Sequence, residues 1–122
     1  MINHEPKEIG DARKLFAKYE KSSSHEERIK YFTQAIETLN TYMEEEELDE
    51  RSKQVIENLK GSHIREMIRS LPLPQDTDDW VFYVRLVIKI KKDIHKACAE
   101  DHNLDEKRLQ WIDKVLKYFD SL

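Results

Sequence analysis

An all-α fold, a compact bundle of about five helices round a central buried amphipathic helix, is what this chain's sequence predicts. Three observations carry that expectation. Charged residues make up 38% of the chain against 39% hydrophobic, with only 2 Gly and 3 Pro in 122 residues. So much charge with so few turn formers suits long amphipathic helices, and the apolar share is too high for disorder. The third observation is the segment WVFYVRLVIKIKKDIHKAC, Trp80–Cys98. Its first half alternates like a strand, but at about 100° per residue Arg85, Lys89, Lys92 and Lys96 gather into one stripe about 60° wide. Tyr83, Val84, Leu86, Val87, Ile88, Ile90, Ile94, Ala97 and Cys98 fill the opposite arc. A strand would scatter the cations over both faces. A mostly buried helix with one wet, basic edge is the reading.

The other elements follow in order. Pro6 suits a first helical turn, and Glu5–Lys21 carries Ile9, Ala12, Leu15, Phe16 and Tyr19 at helical spacing, weakened at Gly10 by up to about 1 kcal/mol relative to Ala. Ser22–Ser24 breaks the chain, and Ser24 with Glu27 forms a candidate capping box. A second helix, from about His25 to Glu46, rests on Ile29, Phe32, Ala35, Ile36, Leu39 and Met43. Carboxylates at Glu44–Glu47 oppose the helix dipole and predict a turn near Leu48–Asp49. The third helix, about Asp49 to Leu71, has Val55, Ile56, Leu59, His63, Ile64, Met67, Ile68 and Leu71 facing inward, with Gly61 permitting close approach of a neighbouring helix. Pro72 and Pro74 end it. Asp76, Thr77, Asp78 and Asp79 supply cap oxygens and acidic first-turn residues to the central helix. That helix fades near Asp101, His102 and Asn103. A last helix, Asp105 to about Phe119, points Leu109, Ile112, Val115, Leu116 and Phe119 inward and leaves Trp111 and Tyr118 half exposed. No fixed-period repeat or long linker is present, so residues 1–122 read as one helical domain.

The second helix, ERIKYFTQAIETLNTYM, and the third, RSKQVIENLKGSHIREMIRSL, carry an aromatic–Ala-Ile–Leu spacing, a basic start, an apolar 3-4 pattern and a late Arg. With the first helix they resemble the microtubule-interacting-and-transport (MIT) domain over about Asp11 to Leu71, within a helical part spanning about residues 5–72. The resemblance implies a three-helix module, not enzymatic, that binds short peptide motifs in grooves between its helices. The first helix is short and lacks the family's run of alanines. The two helices over about residues 77–122 have no place in a lone MIT domain, and no position carries the family's peptide-binding residues across.

Chemical motifs are few. His95, Cys98 and His102 recur at i, i+3 and i+7, a ligand set in type, but His95 and His102 stand about 10.5 Å apart in rise. A buried structural thiol beside helix-end histidines is expected, and no metal or other cofactor. The acidic stretches Glu44–Glu47 and Asp76–Asp79 lack the spaced ligands and glycine of a calcium loop. No nucleophile elbow, phosphate loop or zinc-protease motif occurs, so no catalytic residue is nominated and no enzymatic activity is expected. One cysteine forms no internal disulfide, the N-terminus has no signal-like apolar run, and the longest apolar stretch is too short to span a bilayer. A cytoplasmic protein without membrane insertion is the expectation.

The basic stripe of Arg85, Lys89, Lys92 and Lys96 is the candidate site. Aligned cations along about 16 Å of helix suit phosphates or an acidic protein. The plainer reading is a solvated edge paired with Asp93 or Glu44–Glu47, at about 0–1 kcal/mol per exposed pair. The net charge of −4 favours a protein partner over nucleic acid. A small protein-interaction module or adaptor, with a homodimer left open, is therefore the leading expectation. The alternatives are a nucleic-acid-associated accessory factor of a mobile element or phage, and an acidic inhibitor or immunity-type protein using Glu44–Glu50. Exposed Trp80, Phe82 or Trp111 would mark an interface.

Overall fold

The computed structural model describes residues 5–71, 73–100 and 106–121, without the side chains of residues 100, 108, 109, 116 and 118–120. Among the described residues the chain is all-α: α1 (Lys7–Lys21), α2 (His25–Glu45), α3 (Glu50–Ser70), α4 (Thr77–Glu100) and α5 (Glu106–Asp120), with no strand. The chain divides into two compact units, residues 1–58 and 59–122, and the division falls inside α3.

In the first unit α1 and α2 pack against each other across the short Ser22–Ser24 connection. Ile9, Ala12 and Phe16 of α1 and Ile29, Phe32, Ala35, Ile36 and Leu39 of α2 are buried. The Phe32 ring meets Phe16 and Tyr19 edge-on, with centroids 5.3 and 5.0 Å away, the geometry that ring quadrupoles favour. Pro6 stands one position earlier than expected, as the N-cap of α1, its carbonyl accepting from Ile9 and Gly10 N–H at 3.1 and 3.2 Å. The turn between the helices satisfies its own polar groups. Ser22 Oγ donates to the Lys18 carbonyl at 2.7 Å, and Arg28 Nε donates to the Ser22 carbonyl at 3.1 Å. Ser24 Oγ accepts from Glu27 N–H at 3.1 Å, as its spacing predicts.

α2 ends at Glu45, and Glu46 is extended (φ −108°, ψ 139°). No basic residue occupies the last turn of α2, so nothing offsets the repulsion between the acidic side chains and the carbonyl end of the helix. Asp49 then opens α3, its Oδ1 accepting from Ser52 N–H at 2.7 Å. Within α3 the inward expectation fails at Val55, which is 52% exposed, while Leu59 and His63 are half-buried.

In the second unit Ile64, Met67, Ile68 and Leu71 are buried on the later turns of α3. Pro72, the residue expected to end α3, lies outside the described residues. Asp76 caps α4: its Oδ1 accepts from Asp79 N–H at 2.9 Å, and Asp79 Oδ2 reaches back to Gln75 N–H at 3.1 Å. Phe82, Tyr83, Leu86, Val87, Ile90, Ile94 and Ala97 form the buried face of α4, and Trp111, Ile112 and Val115 that of α5. Tyr83 stacks on Trp111 with centroids 4.8 Å apart, and Trp80 meets Trp111 edge-on at 6.5 Å. Trp111 is therefore buried rather than half exposed, because the α4 aromatics cover its ring. The side chains of Leu109, Leu116, Tyr118 and Phe119, and residues Asp101, His102 and Asn103, lie outside the described residues.

Lys60 is 5% exposed, and its Nζ donates to Asp93 Oδ1 at 2.9 Å, linking α3 to α4 inside this unit. Gly61 is buried, and the nearest atoms to a Cβ there belong to the Arg65 guanidinium, at 2.8 Å. The space immediately beside Gly61 is thus filled from its own helix one turn on.

Candidate interaction face on α4

The period that buries one side of α4 also defines what it presents. Counting about 100° per residue, the buried positions 82, 83, 86, 87, 90, 94 and 97 cover an arc of about 140°. Val81, Arg85, Ile88, Lys89, Lys92, His95 and Lys96 lie on the other side, and all seven are exposed. The four nominated cations are all exposed, Arg85 and Lys89 before a kink at Ile90 and Lys92 and Lys96 after it. Val81 and Ile88, 49% and 50% exposed, border Arg85 on one side.

This corrects the expected picture in three places. Ile88 belongs to the outward face, not to the buried arc, and Val84 and Cys98 are only half-buried. The helix is also not straight. Ile90 has φ −127° and ψ 30°, so α4 is kinked between the pair Arg85 and Lys89 and the pair Lys92 and Lys96. No Pro or Gly lies in Thr77–Glu100 to announce that kink. Asp93 also receives a cation from outside the stripe, Lys60 of α3, which the spacing did not announce.

At about 100° per residue Ile88 falls at the margin of the apolar arc, about 40° from the nearest cation of the stripe, and Val81 about 20° from it. Angle alone does not decide on which side of that margin an aliphatic side chain lies. Of the three aromatics named as interface markers, Trp80 is 40% exposed while Phe82 and Trp111 are buried.

The remaining chemistry is sparse. No group of three or more His, Cys, Asp or Glu side chains among the described residues is placed to hold a metal ion. His95 is exposed and Cys98 half-buried, and their expected companion His102 lies outside the described residues. Asp76 and Asp79 are engaged in capping. The exposed Glu44–Glu47 stretch borders an open depression of ≈ 390 Å³ in the first unit, whose lining includes Glu8, Glu37, Glu45 and Glu46. The Asp49 carboxyl is clearly shifted in acidity. It is held below its ordinary value first by the Ser52 backbone N–H, then by the Ser52 hydroxyl, with a smaller attraction from Arg51. That shift comes from helix capping.

Fold and surface together define a small helical chain with a basic, partly apolar helix face. No family model matches the chain, and no curated protein or solved structure is significantly similar to it. No helix among the described residues is long and apolar enough to cross a membrane.

Proposed function

We propose that this chain is a small non-enzymatic protein-interaction module, an adaptor of the cytoplasm, acting through the outward face of α4. The observation that carries this is the exposure of Val81 and Ile88 beside the exposed cations of the same helix. A purely solvated edge needs charge alone. Aliphatic side chains left in water along one edge of a row of cations add an apolar strip to the charged one, the mixture that protein interfaces bury. The resemblance of Asp11–Leu71 to a peptide-binding module points the same way, and the single Cys98 suits a reducing compartment.

The test is capture from native lysate, with and without nuclease, by the parent and by an Arg85/Lys89/Lys92/Lys96→Glu variant matched to it in helicity and melting. A nuclease-resistant protein retained by the parent and lost by the variant is the expected result. Nucleic acid captured by the parent alone, or one partner captured equally by both forms, overturns the reading.

A further inference from the structure

The geometry points to an acidic amphipathic helix of another protein as the occupant of the α4 face, an inference that rests on the interaction-module reading above. Val81 and Ile88 stand seven residues apart, about 10.5 Å of rise on an α-helix, the interval at which a partner helix repeats an apolar position. Arg85 lies between them in height and about 40–60° to one side, Lys89 farther round on that side, and Lys92 one turn beyond Ile88 past the kink at Ile90; all are exposed. The matching ligand carries apolar side chains two turns apart with Asp or Glu on their flanks, laid along α4. This is helix-face recognition reinforced by opposite charge.

A second copy of this chain fits poorly. Pairing α4 with α4 about a two-fold axis sets Arg85, Lys89 and Lys92 against their own counterparts, and like charges facing each other oppose association. The acidic stretch Glu44–Glu47 has the right sign, but the large apolar side chains exposed among the described residues are Val55, Trp80, Val81 and Ile88, none of them on that stretch. Val55, one turn from the exposed Arg51, has the wrong neighbours. Nucleic acid would satisfy the cations and leave the two aliphatic side chains without a counterpart.

The probe is a fluorescent, end-capped synthetic helix of about three heptads, with Leu at the a and d positions and Glu on both flanks, titrated into the full chain. Its counterparts have Lys in place of Glu, or Ser in place of Leu. The Glu–Leu peptide is expected to bind saturably and to weaken at least about tenfold in three cases: with Val81→Ser/Ile88→Ser, with Lys89→Glu/Lys92→Glu, and when either counterpart replaces it. Val55→Ser should leave it unchanged. These positions are all on the surface, so the variants keep the fold, which circular dichroism checks.

Equal affinity for the Lys and Glu peptides overturns the inference, as does indifference to Val81→Ser/Ile88→Ser or absence of saturable binding. Association with phosphatidylserine vesicles without binding of the peptide assigns the face to an anionic membrane surface instead. Peptide failure alongside stripe-dependent capture of a lysate protein leaves the module reading standing and removes only the acidic helix.

Discussion

At the scale of single residues, the two glycines give opposite lessons. A Cβ at Gly10 meets nothing within 4 Å, so Gly10→Ala trades a helix-weakening residue for the best helix former in open space. The expected gain is up to about 1 kcal/mol, read as an upward shift in the denaturation midpoint; a loss would show that the added methyl group meets a neighbour. Lys60 is the residue that the sequence hid most completely, because a lysine between Leu59 and Gly61 looks like surface. Its burial against Asp93 makes it sensitive: Lys60→Met should cost about 3–5 kcal/mol, while adding Asp93→Leu should recover most of that loss. Denaturant titrations of the two single variants and the double variant measure the coupling, and additive losses would show that the pair is not a unit. Asp49 supplies a pH signature. Its folded pKa lies below the unfolded value of about 3.9 because Ser52 donates to the carboxylate. The unfolded chain therefore binds more protons in that range, so the contribution of Asp49 is complete above the unfolded pKa and is lost as pH falls through the folded one. The stability advantage of the parent over Asp49→Asn should be flat near neutrality and shrink in acid; an advantage that grew in acid would reverse the assignment.

Among the elements, boundaries were more legible than faces. Ser24 and Asp76 were readable as caps because a short oxygen-bearing side chain before an apolar helical run has few other uses, and each makes the expected bond; Asp49, read only as the turn before α3, caps that helix in the same way. Ser24→Ala should cost about 0.5–2 kcal/mol, checked in the same titration. Phe32, with Phe16 and Tyr19 against it, anchors the α1–α2 contact, and Phe32→Ala should cost about 3–5 kcal/mol; a loss under 1 kcal/mol would mean this core rests elsewhere. The outward face of α4 was only partly legible. Charge placed Arg85, Lys89, Lys92 and Lys96 on one edge, but hydrophobicity alone does not say which aliphatic side chains stay wet, and Ile88 was assigned inward for that reason. The kink at Ile90 had no signal, since neither Pro nor Gly marks it.

For the molecule as a whole, the all-α class followed from charge, apolar content and the scarcity of turn formers, and the five helices lie close to where spacing put them. The division of the chain inside α3 had no counterpart in the sequence, where that helix reads as one uninterrupted apolar pattern. Exposed aliphatic side chains in both units, Val55 in the first and Val81 and Ile88 in the second, make an internal comparison possible. Ile88 borders the row of cations on α4, and Val55 on α3 is as exposed with the exposed Arg51 one turn away but no such row. The most direct measurement replaces each in turn with a photoreactive phenylalanine analogue and irradiates the chain in native lysate. Crosslinking of one discrete protein from position 88, lost on Lys89→Glu/Lys92→Glu and absent from position 55, is the predicted result. Equal crosslinking from both positions, or from position 55 alone, would contradict the assignment of α4 as the interaction face.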